Sequence, residues 1–375
     1  MDTVTTAIGG ALLGRALPED RRGPIGVAVV TLASVVPDTD IIFEAFNNDP
    51  IGGLTQHRAI THSLLGAAIL GPLLALAFWR FAKDKKYSRL LLLSLLGLFW
   101  HMFTDLATSW GTMIYYPFNR DRVVWDLLFI IDFTFSAILL LPHVAAWVYG
   151  RPQVALRRGG LAWAALVAFT ALVITLVSPM FRVGFNWGLF GLLSAVLGLF
   201  FLLPRIGGWG FRTSSVKFCR IGVVSLAVYL GVCTVAHFRA VGPVEDMVRE
   251  KKLTVRSLGA LPQPLSPFRW SGLVLTSEGV FQSWFSLLDS GAPQFEFFPT
   301  VENGYVARAR RLLGVQTYLW FARFPVAYYR REGDRHIVDF ADRRFQSQQD
   351  RNPGFVYRVV FDSAGKVLSN GFPGR

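Results

Sequence analysis

The chain has 375 residues, 52% of them hydrophobic and 17% charged, with a mean hydropathy of +0.40. Soluble domains carry about 25% charged residues, so this balance excludes an ordinary soluble enzyme and points to the membrane. Its 38 Lys and Arg against 25 acidic residues give a net charge of +13, which in a membrane protein reports topology and anionic headgroups; no nucleic-acid-binding motif accompanies it, and nucleic acid is set aside.

Only Cys219 and Cys233 are present, which rules against a disulfide framework or a thiolate zinc site. The N-terminus lacks the basic region and cleavage pattern of a secretory signal, so the first apolar segment is expected to stay. That segment, Thr3 to Leu17, is short for a span, and its Gly10-x-x-x-Gly14 spacing would let another helix approach closely. A spanning helix needs about 20 apolar residues. Candidates follow from Pro24 to Phe43, His62 to Trp79, Leu90 to Ala107, Asp126 to Tyr149, Leu161 to Met180, Trp187 to Leu203 and Ile221 to Phe238. Basic clusters fall at every second connection: Arg15 with Arg21 and Arg22, then Arg80 to Arg89, then Arg151 with Arg157 and Arg158, then Arg205 to Arg220. The positive-inside rule reads this as eight segments with both ends of the chain on the non-cytoplasmic side.

After Phe238 charge, Pro and turn signals increase and no further span is found. Three stretches read as strand pairs: Arg269 to Leu288 around Glu278-Gly279, Phe324 to Phe340 around Gly333, and Gly354 to Gly371 around Ala364-Gly365. Gly304 to Gly314 reads as a short helix. The expected fold is thus mainly α, a polytopic helical membrane domain over 1–238 followed by a small extracytoplasmic α+β domain over 239–375.

Polar residues gather in the first half. The sequence VVPDTD places Asp38 and Asp40 near the outer end of the second segment, where Pro37 favours a local break. His57 and His62 flank the start of the third segment. His101 and Asp105 lie four residues apart on the fourth, hence on one helical face. Carboxylates in lipid cost about 2.5–3.5 kcal/mol each on insertion scales, a cost that a shared divalent metal would offset. Imidazole nitrogen and carboxylate oxygen suit zinc, manganese or iron, and an ion so held would activate water and polarise a phosphoryl oxygen. With more ligands than one tetrahedral ion needs, one or two ions are accommodated.

Each residue also has a plainer reading. Asp38 and Asp40 could cap a helix, His57 with Arg58 could touch headgroups, His62 could bond a neighbouring helix, and His101 with Asp105 could be an ion pair without metal. Asp132 has three readings: a ligand, an outer carboxylate that orients a histidine or acts as a base, or a packing polar group. His143, His237 and His336 lie elsewhere and are left out.

Five stretches, MDTVTTAIGGALLGRAL, PDTD, HRAITHSLL, HMFTDLATSWGT and PFNRDRVVWDLLFIID, together resemble the YdjM-like family of membrane-bound metal-dependent hydrolases, in order and rough spacing across residues 1 to 140. The end of the chain, around FARFPVAYYRREGDRHIVDFADRRF, resembles longer relatives more loosely. That family is in turn distantly similar to zinc-dependent phospholipases C and P1-type nucleases. The resemblance implies a bacterial inner-membrane protein with Asp38, Asp40, His57, His62, His101 and Asp105 as zinc ligands. One departure stands out. Relatives commonly carry His where this chain has Thr6, so one metal position would be weaker, vacant or served by Asp2.

The leading expectation is an integral-membrane phosphoesterase acting on a lipid or lipid-linked substrate at the outer leaflet. Arg58, with Arg120 and Arg122, would grip the substrate phosphate, or merely touch headgroups. The rival is a non-catalytic scaffold or sensor with a closed, structural metal site, whose outer domain binds an envelope partner. A transporter fits less well, because the polar groups gather toward one face and not at the midplane.

Overall fold

The computed structural model describes residues 1–41, 51–83, 85–180, 187–346 and 355–373. Phe43 and Gly354, two expected element ends, lie outside them. Helix α1 (Thr3–Ala16) starts where Asp2 accepts a hydrogen bond from the Thr5 amide at 2.8 Å, an N-cap that satisfies one of the helix's open donors. It packs on α2 (Gly26–Ala33). A Cβ on Gly10 would lie 2.3 Å from Ser34 Oγ, and one on Gly14 3.0 Å from Val27 Cα, so the small-residue spacing does serve a close helix crossing.

The expected second span does not form as one helix. Helix α2 has eight residues, about 12 Å at 1.5 Å per residue, against a hydrocarbon core of about 30 Å. It gives way to a 3-10 turn at Val36–Thr39 with Pro37 in its first turn, as Pro removes a helical donor and crowds the preceding turn. Helices α3 (Leu64–Phe81) and α4 (Tyr87–Leu106) form an antiparallel pair. A non-helical stretch follows, and α5 (Phe133–Tyr149) begins only at its Asp132 cap, seven residues later than Asp126 would have it. Then come α6 (Ala155–Met180), α7 (Trp187–Gly207) and α8 (Ser215–Lys251).

Among the described residues four helical stretches are long and apolar enough to cross a membrane: 64–81, 87–106, 152–176 and 215–251. Phe133–Tyr149 and Trp187–Phe201 are shorter apolar helices. The expected eight spans are therefore not met, chiefly because α1 and α2 are too short. Helices α1, α4, α5 and α8 share a core of Leu12, Trp100, Phe135, Leu139, Cys219 and Leu226, whereas α6 and α7 turn Phe169, Leu172, Leu176, Leu192 and Leu193 outward. Such apolar outer faces are what lipid-facing helices require.

Helix α8 does not stop at Phe238 but runs 37 residues to Lys251, about 55 Å. It delivers the chain to two antiparallel four-stranded sheets. The first runs β1 (Ser257–Pro262), β2 (Arg269–Leu275), β3 (Gly279–Ser286), β4 (Glu296–Pro299); the second runs β5 (Pro325–Glu332), β6 (Arg335–Asp342), β7 (Val356–Phe361), β8 (Val367–Gly371). Each neighbour in space is the neighbour in sequence, so both are meanders. The hairpin turns fall where sequence placed them, with Gly333 and Gly365 at positive φ. Between the sheets lie α9 (Gly304–Ala309) and α10 (Leu313–Phe321). The second sheet closes on Tyr318, Phe321, Val338, Phe340 and Tyr357.

Candidate metal centre and the comparisons

Three elements bring the polar residues together. Asp38 sits in the 3-10 turn after α2, His62 ends a 3-10 turn at Ile60–His62, and His101 and Asp105 face inward from the last turns of α4. Gly66 makes the sharp entry to α3 possible: a Cβ there would lie 1.8 Å from the Ile60 carbonyl oxygen. Any side chain at 66 would push the His62 turn away.

The atoms converge. His62 Nε2 lies 3.6 Å from Asp38 Oδ1 and 3.4 Å from Asp105 Oδ2; His101 Nε2 lies 3.5 Å from each of the same two oxygens. These separations exceed hydrogen-bonding distance. They match the spacing of neighbouring ligands about one ion, since metal bonds of 2.0–2.2 Å at tetrahedral angles put adjacent ligand atoms about 3.3–3.6 Å apart. Asp38, His62 and His101 form a set whose ligand atoms all lie within 4.8 Å of one another, and Asp105 flanks both imidazoles. His62, His101 and Asp105 are fully buried. Their facing atoms, Nε2, Nε2 and Oδ2, have no hydrogen-bond partner among the described residues. Buried polar atoms are almost always paired, so three aimed at one point are the donor set that a divalent cation would complete.

The surrounding bonds fix how each donor is presented. His101 Nδ1 lies 2.7 Å from the Ser34 carbonyl oxygen, which can only accept, so Nδ1 carries the proton and Nε2 keeps its lone pair. The Thr61 hydroxyl donates to Asp40 Oδ2 at 3.1 Å and lies 2.9 Å from His62 Nδ1. Having spent its one proton, Thr61 accepts from Nδ1–H, again leaving Nε2 bare. Burial lowers the His62 pKa against the opposing charges of the nearby carboxylates, which favours the neutral, ligating form. Asp38 takes a hydrogen bond from Thr3 at 2.5 Å through its other oxygen.

Asp40 and His57 form an outer layer. Asp40 Oδ1 is 3.0 Å from His57 Nδ1, and its Oδ2 is 3.2 Å from the Arg58 amide. The set Asp40, His57, His62 is also compact, but it meets the inner one through the protonated nitrogen of His62. The six residues thus divide into an inner group of four and an Asp40–His57 pair.

The two residues assigned catalytic roles from sequence sit differently. Arg58 is buried, with φ +61°; its Nη2 is 2.9 Å from Asp105 Oδ1 and its Nη1 3.3 Å from Thr108 Oγ1. It backs a candidate ligand and does not reach outward for a phosphate. The Met1 ammonium reaches the same Asp105 oxygen at 2.5 Å. Asp132 caps α5 through the Phe135 amide at 2.9 Å and accepts from Tyr229 at 2.8 Å, the packing role. Arg122 donates to the carbonyls of Gly111, Leu54 and His57, holding the histidine loop in place. Arg120 is exposed. Thr6 is buried and turns its hydroxyl back to the Asp2 carbonyl at 3.0 Å, while Asp2 serves as the α1 cap.

Sequence reasoning did not foresee the seal that the β domain forms at this end. Trp110 packs among Phe321, Phe345 and Phe355, Arg344 donates to the Ser109 carbonyl at 2.8 Å, and Arg323 clasps Asp126 at 2.9 and 3.0 Å. Trp110 stood in the quoted motif, but nothing in its spacing names a partner more than 200 residues away.

All six converging residues fall in the first half of the chain, and that stretch matches a family model described as YdjM inner membrane protein. The match covers residues 1–182, just under half of the chain. The similarity to an inner membrane protein family is in keeping with the chain's apolar helices. A Bacillus subtilis (strain 168) protein described as "Uncharacterized protein YfhP" is 28% identical over 153 residues, which is 39% of this chain and 45% of that protein. The match thus covers less than half of that relative. No solved structure matches the chain.

Proposed function

We propose that this protein is an integral-membrane, metal-dependent hydrolase, a phosphoesterase acting on a lipid or lipid-linked substrate at the outer leaflet. The observation that carries the reading is the set of three buried, unpartnered atoms, His62 Nε2, His101 Nε2 and Asp105 Oδ2, facing one point beside Asp38. Asp38, His62 and His101, with Asp105 beside them, would hold a divalent ion, zinc being the one that the N/O donors suit. Such an ion, when bound, supplies Lewis acidity toward a phosphoryl oxygen and toward water.

The chain's own residues supply the rest. Asp40 orients His57 through Nδ1 and leaves its Nε2 open, with the His57 side chain 18% exposed. This is the arrangement of a general acid–base, a carboxylate holding one ring nitrogen so that the other can exchange a proton. His57 takes the proton of an attacking water or returns one to the leaving oxygen. Arg58 neutralises Asp105 from behind and keeps Oδ2 turned to the ion site. The basic residues near the α3–α4 connection, at the opposite end of α4 from His101, support an outward-facing site by the positive-inside rule, and the β domain, joined to the site end, lies on that same outer side.

The rival is a structural metal site in a scaffold or sensor. It would be closed by protein ligands, without an open position for water. The test is elemental mass spectrometry of the detergent-purified chain beside His101→Ala, followed by turnover of short-chain phospholipids. One ion per wild-type chain, absent from the variant, with phosphate-ester cleavage that His57→Ala abolishes, is the expected result. Metal without turnover on any phosphate ester leaves the scaffold; no metal in either protein removes both.

A further inference from the structure

A cavity of about 460 Å³ lies where α10 of the β domain meets the membrane region's loops, walled by Gln56, Tyr116, Arg120, Gln316, Thr317 and Trp320 among others. It falls in the size range of small-molecule sites, roughly 300–1,000 Å³. It shares a wall with the candidate metal centre, because Thr55 and Gln56 run directly into His57 and Arg58, and Arg122 ties that loop to the Trp320 ring, 5.3 Å away.

Its lining has a definite chemistry. Arg120 is exposed and makes no hydrogen bond or ion pair among the described residues, while the adjacent Asp121 is tied to Asn119 at 2.6 and 2.7 Å. An unpaired guanidinium between amide and hydroxyl groups suits a phosphate bearing further polar substituents. The loop that carries Arg120 also exposes Phe118 by 86% and Tyr115 by 51%. Exposed aromatic side chains beside apolar helices belong at the level of lipid headgroups. A soluble phosphate would find such a loop irrelevant; a lipid would meet both features together.

We propose that this interdomain cavity binds the phosphate-bearing headgroup of an anionic membrane lipid, with Arg120 as its charged contact and Trp320 as its aromatic wall. The assignment rests on reading this end of the molecule as the substrate-facing one, and makes the cavity the headgroup subsite of that reading. It does not depend on turnover.

The experiment is calorimetric titration of the detergent-purified, metal-stripped full chain with monomeric short-chain phosphatidylglycerol, short-chain phosphatidylcholine, glycerol phosphate and inorganic phosphate. Working without metal separates this binding from hydrolysis, so either can fail alone. Phosphatidylglycerol should bind more tightly than phosphatidylcholine, and Arg120→Gln should weaken it about tenfold or more, as for loss of a charge-assisted hydrogen bond. Arg335→Gln, which removes the same charge from the β5–β6 hairpin, should leave the affinity unchanged. Equal weakening by Arg335→Gln, or no effect of Arg120→Gln, would overturn the proposal. Inorganic phosphate binding as tightly as the lipid would overturn the lipid assignment and leave a free-phosphate site.

Discussion

Neighbouring side chains at His57 and Arg58 do opposite things. His57 keeps a ring nitrogen open, whereas Arg58, forced to positive φ, turns inward and pairs with Asp105 at 2.9 Å. In sequence, a His-Arg dipeptide at the start of an apolar run reads as a pair of outward-facing groups, and only the backbone turn separates them. The two readings of Arg58 predict different kinetics. As a residue that positions Asp105, Arg58→Gln should lower metal affinity about 10–100-fold, the usual effect of losing a group that orients a ligand, measured by chelator competition. A phosphate-gripping role would instead raise KM with metal affinity intact. Asp132 is distinguished in the same way. Asp132→Ala removes the α5 cap and should cost about 1 kcal/mol of stability, seen as a lower midpoint in thermal unfolding, with metal content unchanged.

Among the elements, the pairing of α2 with α4 decides whether the centre exists. A Cβ on Gly97 would lie 2.5 Å from the Val30 carbonyl oxygen and 2.7 Å from Ala33 Cβ, so the two helices touch backbone to side chain one turn before His101. This approach brings the Ser34 carbonyl to His101 Nδ1. Gly97→Val should therefore overpack the crossing, at about 1–3 kcal/mol, and should reduce bound metal more than that stability loss alone would, checked by metal content on the folded fraction. The apolar runs of α3 and α4 were legible because their length and composition suffice. The second segment misled because its apolar residues continue through Pro37, and hydropathy does not register the break. Strands β2, β3 and β5 to β8 were legible from alternation and turn glycines. Strands β1 and β4 and helix α10 were not, since β1 carries Gly and Pro and β4 is only four residues long.

At the level of the whole molecule, the membrane region and the β domain are joined by polar clasps and an aromatic plug at the site end. The Arg323–Asp126 pair is bidentate, with Asp126 buried and Arg323 about one quarter exposed. Removing Arg323 leaves that carboxylate without its partner. Arg323→Ala is expected to loosen the junction, increasing hydrogen exchange in the Trp110 loop and in α10 while the sheets stay protected. If the β domain instead stays equally protected at that junction, the clasp is dispensable. Orientation has a direct check. Cys219 and Cys233 are buried, so Glu302→Cys should be labelled by an impermeant maleimide on intact cells if the β domain lies outside.

The sequence alone determined that the chain enters a membrane, where its histidines and aspartates concentrate, and which family the first half resembles, because composition, helical spacing and local motifs are written in neighbouring residues. Tertiary structure decided the rest. It separated Asp38, His62, His101 and Asp105 from the Asp40–His57 pair, turned Arg58 inward, and laid α10 over the loops beside the site. Those outcomes depend on the hand and depth at which distant helices cross and on where the chain returns after α8, and no local pattern of residues encodes either.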